Sequence, residues 1–375
     1  MLVIARVYPA ADFGHFAIAY SVLAMSLALC RAYLGTQISM TVSAGDARAL
    51  GANFMGAMLI LGLPLAGSVF LASLVLTGGG TGILVTVSLA APMTCLQDLV
   101  RFVSIASNQP VAALVSDFTW FTMMTVVFFL PLQPGPTLLI LWIGTVILSF
   151  TVGLAVARLR PVFKGSLRRL MRWDSISASM AWGAGLAQGS QVVVTTAAAV
   201  IVGPQAAAAL RGASTLIGPL NVIFAYVNIA VTPVVLRRPR NSHFSSARRV
   251  TVTITLTALG WGLVLAFLPN GLGEAALGAS WSITKSIFLL TASQYVFLAI
   301  ASGPTLILKI RRKAKILAWQ KLIVAAAGVT LSILGCVLLE SVAGAALGLA
   351  ISGFVSAVLS WSSLLRILRD PNAQT

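Results

Sequence analysis

Charged side chains inside long apolar segments are the residues of this chain that are best suited to chemistry. Arg211 is the clearest case, because it lies about two turns inside a long apolar segment. A guanidinium stays ionised at any relevant pH and can hold a diphosphate through paired hydrogen bonds. A charge at this depth usually faces a cavity, so Arg211 is a candidate anion-binding residue. The alternative is an arginine that reaches the outer head groups of a bilayer.

Four further charged residues lie near the ends of apolar segments. Asp98 and Arg101 are separated by three positions, so they share one face of a helix. Arg101 could receive an anion there while Asp98 holds it in place, or the two could form only a local ion pair, which stabilises little. Arg31 could line the same entrance or simply mark a cytoplasmic helix end. Asp117, near the start of the next segment, is interpreted as a helix N-cap.

Amide side chains form a second group of candidates. Gln188 and Gln191 share one helix face, and Asn221 and Asn228 lie one heptad apart on another. Either pair could bind sugar hydroxyls in a water-filled cavity. Hydrogen bonds between helices are the other interpretation, since polar side chains also tie membrane helices together.

The elements that position these residues are predicted to be membrane spans. Hydrophobic residues make up 58% of the chain and charged residues 9%, against about 25% charged in soluble domains. A bilayer core of about 30 Å needs roughly 20 helical residues, and all backbone groups must be paired there. Eleven spans are predicted: Ala11–Leu34, Asn53–Leu76, Ile83–Ile105, Ala112–Leu132, Thr137–Ala157, Ile176–Val202, Ala206–Val235, Val250–Leu268, Ile287–Leu308, Ile316–Leu339 and Val342–Leu364.

The distribution of basic residues predicts the orientation of the spans. Lys and Arg are concentrated in every second gap, for example between Arg158 and Arg172, whereas the intervening gaps are short and nearly neutral. Positive residues are retained on the cytoplasmic side. We therefore expect an inner-membrane protein with a cytoplasmic C-terminus, and basic charge that also attracts anionic lipid head groups. The net charge of +17 thus does not indicate nucleic-acid binding, because there is no basic soluble domain.

An internal repeat predicts two halves, residues 1–172 and 173–375. Pro9 and Pro204 each precede a new apolar span by a similar number of residues. A complete apolar helix precedes Pro204, but only eight residues precede Pro9. The simplest account is a six-plus-six architecture in which Met1 lies inside the first helix; chance similarity of two proline turns is the alternative.

Three stretches of the sequence resemble those of a known family of membrane proteins. The stretch Ala5–Ala17, ARVYPAADFGHFA, resembles the end of the first helix in Wzx-like lipid-linked oligosaccharide flippases, which are polysaccharide exporters of the MATE-like MOP superfamily. Gln97–Phe102 is similar to their fourth-to-fifth helix connection, and Gly203-Pro204 with Leu210–Ala213 is similar to the start of their eighth helix. The missing first helix departs from the family pattern.

The resemblance implies a bundle of two six-helix halves around a central cavity. It also implies that a polyprenyl-diphosphate-linked oligosaccharide moves from the inner to the outer leaflet, that the protein is not an enzyme, and that no cofactor is needed. Arg211, Arg31 and Arg101 would then meet the diphosphate or an acidic sugar. Membrane lipids and the polymerase or glycosyltransferase machinery are the expected partners.

Two alternatives stay open at this stage. A drug or metabolite exporter of the same superfamily is disfavoured because no carboxylate is predicted deep in a span, where an ion-coupled antiporter would need one. A membrane glycan-processing enzyme is disfavoured because no external gap is long enough to carry several acid, base or metal-binding residues. The chain has no phosphate-binding loop for ATP, and Cys30, Cys95 and Cys336 are predicted to be small buried hydrophobes.

Overall fold

The computed structural model describes residues 2–39, 43–77, 81–130, 135–172, 175–226, 231, 235, 239, 242–311 and 313–369. Every regular element in these ranges is helical, as predicted. The helices of the N-terminal part are α1 (Leu2–Val7), α2 (Ala10–Cys30), α3 (Thr36–Ser39), α4 (Ala44–Ile60), α5 (Gly62–Thr77), α6 (Thr81–Ala106), α7 (Pro110–Phe129), α8 (Pro136–Ala157) and α9 (Ser166–Leu170). They are followed by α10 (Ser175–Ile201), α11 (Pro204–Leu216), α12 (Gly218–Tyr226), α13 (His243–Ala266), α14 (Asn270–Leu277), α15 (Trp281–Ile310), α16 (Ala314–Leu339) and α17 (Val342–Arg369).

The predicted spans are helical wherever the structure describes them, although Asn53–Leu76 and Ala206–Val235 are each divided between two helices. Most of residues 227–235, in the second of these spans, and residues 131–132, at the end of Ala112–Leu132, lie outside the described residues. Within the described ranges, nine helices are long and apolar enough to cross a membrane, and two bent pairs bring the number to as many as eleven. Many of their large apolar side chains face outward, including Leu63, Leu289 and Leu338, which are 80%, 75% and 78% exposed. Exposed apolar surface on this scale requires a lipid environment. The chain is therefore a multi-pass membrane protein.

Two spans are broken near a proline. Helices α4 and α5 meet at an angle of 56°, and α11 and α12 at 52°. Proline removes the hydrogen bond to the carbonyl four residues earlier. Pro64 therefore releases the Ile60 carbonyl at the end of α4, and Pro219 releases that of Thr215 at the end of α11. Pro92 and Pro304, by contrast, lie inside uninterrupted helices.

The contacts divide the chain into two compact units. The first unit comprises Val7–Val192, and the second comprises Met1–Arg6 with Val193–Thr375. The first unit is organised around α6, which packs against α2, α4, α5, α7 and α8. Its core contains Phe54, Met55, Leu96 and Val103, all buried. The predicted halves, residues 1–172 and 173–375, remain a prediction about an internal repeat.

The second unit is organised around α15. This helix packs against α11, α13 and α17, and α17 packs closely against α16. The α16–α17 contact depends on glycine, because an added Cβ at Gly344 would meet the backbone of Gly335, and one at Gly348 would meet the backbone of Ser332. The spacing of Gly344 and Gly348, four residues apart on one helix face, thus serves helix packing. Each unit thus has its own core, which holds the candidate residues described next.

Candidate functional site

Arg31 stands at an irregular turn of a membrane span. Helix α2 ends at Cys30 and continues through a five-residue π-helical segment, Arg31–Gly35, into α3. Such segments are uncommon and occur frequently at functional sites. Gly35 allows the segment to approach α6, because a Cβ at this position would lie 2.7 Å from the ring of Phe102. The π segment therefore brings Arg31 next to the charged end of α6.

Asp98 accepts hydrogen bonds from two arginines. Its carboxylate receives Nε and Nη2 of Arg31, the latter at 3.0 Å, and Nη1 of Arg101 at 2.6 Å. The Asp98 side chain is only 7% exposed, whereas those of Arg31 and Arg101 are 47% and 35% exposed. A buried carboxylate thus holds two guanidinium groups that remain accessible. The sequence placed Asp98 beside Arg101, but it gave no signal for the contact with Arg31, which is 67 residues away.

Arg101 also binds Asp117, so the ion pairs extend to a third helix. Its Nη2 donates to Asp117 Oδ1 at 2.5 Å and its Nε to Oδ2 at 3.1 Å. The interpretation of Asp117 as an N-cap is wrong. Helix α7 begins at Pro110 with Gln109 as its N-cap, so Asp117 lies two turns inside the helix. The side chain faces α6 because Arg101 offers the opposite charge there.

The four residues form a chain of alternating charges, Arg31–Asp98–Arg101–Asp117, which we call the charge network. It ties α2, α6 and α7 together within the first unit. Asp98 and Asp117 both lie within candidate spans. Each carboxylate lies about two turns from a helix end, Asp98 before Ala106 and Asp117 after Pro110, so the expectation that no carboxylate lies deep in a span stays a prediction.

The arrangement is suited to binding an anion reversibly. Each arginine can exchange a carboxylate for another oxyanion without leaving a buried charge unpaired, because Asp98 stays bound to the other arginine. Guanidinium groups match phosphate oxygens in the same two-bond geometry that they use for carboxylates. The partly exposed Asp117, at 43%, is the partner that such an anion would displace most readily.

A second polar group lies in the second unit. Arg211 is half-buried in α11, and Asn221 lies on α12 beyond the bend. The side chains of Asn221 and Arg211 both lie near Tyr295 of α15. Phe224 stacks on Tyr295 with ring centroids 6.4 Å apart. Asn228 lies outside the described residues.

Tyr295 was not identified from the sequence. It lies within an apolar run in which a tyrosine indicates core packing as readily as binding. Only the bend at Ile217, which turns α12 toward α15, reveals its proximity to Asn221 and Arg211.

Gln188 and Gln191 lie half-buried on α10. Two glycines of α10 lie against α2. A Cβ added at Gly185 would lie 3.2 Å from the side chain of Leu29, and one added at Gly189 would lie 3.9 Å from that of Met25.

The described ranges contain no group of three or more His, Cys, Asp or Glu side chains that could hold a metal ion. The thiols of Cys30 and Cys95 are close neighbours beside the charge network, and both are free. The predicted burial is confirmed for Cys95 and Cys336, while Cys30 is partly exposed.

Comparison with known proteins identifies the fold. No family model matches the sequence, and no curated protein sequence matches it significantly. Solved structures do match over nearly the whole chain. A multidrug resistance MATE family transporter of the MOP superfamily, in an inward-facing conformation, matches with a TM-score of 0.74 at 11% identity and covers 99% of this chain and 96% of its own.

Two other structures match in the same way. The lipid II flippase MurJ, in an inward closed conformation, matches with a TM-score of 0.71 at 14% identity, covering 97% of this chain and 84% of its own. A MOP superfamily transporter from Pyrococcus furiosus matches with a TM-score of 0.61 at 13% identity, covering 98% and 90%. The chain therefore has the fold of MATE and MOP transporters. At these identities, the likeness concerns the fold alone.

Proposed function

We propose that this protein is a flippase that moves a polyprenyl-diphosphate-linked oligosaccharide across the cytoplasmic membrane for the synthesis of a surface polysaccharide. It would work by alternating access, with the diphosphate bound by arginines while the polyprenyl tail stays in lipid. The protein would be a transporter rather than an enzyme, located in the inner membrane with its C-terminus in the cytoplasm. The similarity of the fold to both drug transporters and a lipid flippase is compatible with this proposal.

The charge network is the observation that carries the proposal. Two accessible guanidinium groups, Arg31 and Arg101, are held by a buried carboxylate that lies inside a membrane span, about two turns from its end. A diphosphate offers several oxygens that can pair with both groups at once. In the second unit, Arg211, Asn221 and Tyr295 form a polar group. Arg211 is suited to the diphosphate, and Asn221 and Tyr295 are suited to sugar hydroxyls. Gln188 and Gln191 are proposed as further sugar contacts.

The membrane potential can supply the driving force. An inside-negative potential favours outward movement of an anion by about 2.3 kcal/mol per charge per 100 mV. A diphosphate carries two or more charges, so the head group itself couples the potential to transport. The carboxylates Asp98 and Asp117 would then serve to hold the arginines, and a proton relay would not be obligatory.

A drug or metabolite exporter is the second candidate, and one observation favours it. Asp98 is a buried carboxylate inside a span, which is the kind of group that ion-coupled antiporters use. The two candidates differ in the charge of the substrate. Since the arginines are more exposed than Asp98, the site offers positive charge to a ligand, and this favours an anionic substrate.

Deletion of the gene distinguishes the candidates in cells. We expect loss of a surface polysaccharide and accumulation of its lipid-linked precursor on the inner leaflet, with unchanged resistance to amphipathic cations. Reintroducing the wild-type gene should restore export, and a variant with Arg31→Gln and Arg101→Gln should not. Normal polysaccharide together with increased sensitivity to cations would contradict the proposal and support the exporter.

An assay with purified protein distinguishes a transporter from a membrane glycan-processing enzyme. Purified protein in detergent has no second compartment, so a transporter should leave a lipid-linked oligosaccharide chemically unchanged. Release or extension of the glycan under these conditions would support the enzyme instead.

A further inference from the structure

The segment Arg158–Arg172, which connects α8 to α10, is a folded basic segment, and we call it the basic linker. It contains six cations and no acidic residue in fifteen positions. Its short helix α9 occupies Ser166–Leu170. The six cations are Arg158, Arg160, Lys164, Arg168, Arg169 and Arg172.

The basic linker is held against the first unit by backbone contacts. The amide of Val162 donates to the carbonyl of Ala52 in α4 at 2.9 Å. A Cβ at Gly56 would collide with the carbonyl oxygen of Val162, so α4 approaches the linker backbone directly. Ser166 is fully buried. The hydroxyl of Tyr33 lies 3.3 Å from the carbonyl oxygen of Arg172 and can donate to it. These contacts fix the linker in place.

The outward face of the basic linker combines positive and apolar side chains. All six cations are exposed. Between them, Val162, Phe163 and Met171 are 41%, 57% and 74% exposed. A cleft of about 760 Å³ is lined by Gly165, Arg168, Arg169, Met171 and Arg172. An adjoining cleft of about 350 Å³ contains Arg169 together with the carboxylate-bearing Asp46.

The position of the linker determines what this face meets. Both ends join helices that are long enough to span a membrane, α8 and α10, so the linker lies at a bilayer surface. Exposed aromatic and aliphatic side chains enter the boundary between head groups and acyl chains, while arginines bind phosphate. A soluble polyanion would use the cations but would leave Phe163 and Met171 in water.

We propose that the basic linker is a binding site for the phosphate head group of an anionic glycerophospholipid of the adjoining leaflet. The head group would occupy the cleft between Arg168, Arg169 and Arg172, and the acyl chains would pass Phe163 and Met171. This site is separate from the charge network and does not depend on which substrate the protein moves.

Purified full-length protein provides the test. The thermal unfolding midpoint is measured in detergent during titration with phosphatidylglycerol or with zwitterionic phosphatidylcholine. We expect phosphatidylglycerol to raise the midpoint in a salt-dependent manner and phosphatidylcholine to have no effect. Each surface cation contributes about 1 kcal/mol, so the triple variant Arg168→Gln, Arg169→Gln, Arg172→Gln should bind phosphatidylglycerol on the order of 100-fold more weakly.

A matched variant, Arg248→Gln, Arg249→Gln, Lys315→Gln, removes the same number of exposed cations elsewhere. It should bind the lipid like the wild type, and an equal loss in both variants would overturn a defined site. Phe163→Ser should also weaken binding. Equal stabilisation by inorganic phosphate would overturn the lipid assignment and indicate a free anion site. If the triple variant of the site is no longer monodisperse, Arg168→Gln alone replaces it, with about fivefold weaker binding expected. If the matched variant is no longer monodisperse, Arg249→Gln alone replaces it and should bind like the wild type.

Because the assay has no transport step, its outcome is independent of the proposed flippase activity. A protein that binds the lipid but moves no substrate would leave this inference intact. A protein that transports but binds both lipids equally would overturn it.

Discussion

Arg31 donates to Asp98 across two helices, with Nη2 and Oδ1 separated by 3.0 Å. The contact joins the π segment that follows α2 to the last turns of α6. One buried carboxylate therefore sets the positions of both Arg31 and Arg101. This relationship makes the charge network a structural element as well as a candidate binding site.

Removal of the Asp98 charge should destabilise the protein. Asp98→Asn keeps the shape of the side chain but removes the negative charge that two arginines share and replaces one of its two acceptor oxygens with an NH2 group. Hydrogen bonds to charged groups contribute about 1.5–3 kcal/mol, so we expect the free energy of unfolding to fall by about 2 kcal/mol. Denaturant unfolding in mixed micelles measures this change. The exposed Asp46 provides the control, since Asp46→Asn should cost less than about 1 kcal/mol; equal losses would contradict the role of Asp98.

Lysine should not replace Arg101. The guanidinium donates to Asp98 and Asp117 from different nitrogens, and a lysine ammonium cannot reproduce this planar fork. We expect Arg101→Lys to lower the transport rate about tenfold, which corresponds to about 1.4 kcal/mol. Arg249→Lys, at an exposed cation of α13, should leave the rate unchanged. A fully active Arg101→Lys protein would show that charge alone suffices.

Close packing of α16 on α17 should depend on two glycines. A Cβ at Gly335 would meet the backbone of Gly344, and the reverse is also true. Overpacking costs about 1–3 kcal/mol, so Gly335→Ala and Gly344→Ala should each lower the unfolding free energy by this amount. Gly260→Ala is the matched control, because no atom lies within 4 Å of the added methyl group. Similar stability of all three variants would refute this packing.

The contact between Cys30 and Cys95 can be tested by cross-linking. Their thiols belong to α2 and α6 and are close neighbours. Copper phenanthroline with oxygen should remove two electrons and two protons from the pair and form an intramolecular disulfide, which tryptic mass spectrometry detects. The Cys95→Ser protein should give no such peptide. A cross-link from Cys30 to Cys336 instead would contradict the described packing.

The predicted orientation can be tested with alkaline phosphatase fusions. The enzyme folds only outside the cytoplasm, and the basic gaps should be cytoplasmic. A fusion after Arg168 should be inactive, and a fusion after Glu340 should be active. The opposite pattern would reverse the map and place the basic linker on the outer surface.

The spans were predictable from the sequence because they depend on local composition. The predicted span Thr137–Ala157 corresponds to α8, Pro136–Ala157, and Ile316–Leu339 to α16, Ala314–Leu339. An apolar run of this length can form only a helix in lipid, so its ends follow from where polar residues begin.

The site was less predictable because it depends on tertiary contacts. The ion pair of Asp98 with Arg101 follows from helix geometry, but the contacts of Arg31 with Asp98 and of Asp117 with Arg101 join different helices. The π segment also has no clear sequence signal. The bend before Gly218, by contrast, lies beside Pro219, and a proline inside an apolar segment is a sequence signal for a break in the helix.

Transport by purified protein tests the central claim most directly. Proteoliposomes containing the protein would receive a fluorescent short-chain polyprenyl-diphosphate sugar on one leaflet, and a membrane-impermeant quencher would report its appearance on the other. Wild-type protein should move the lipid faster when the potential drives the anion, and the protein with Arg31→Gln and Arg101→Gln should be indistinguishable from empty liposomes. Export of an amphipathic cation without movement of the diphosphate lipid would contradict the account.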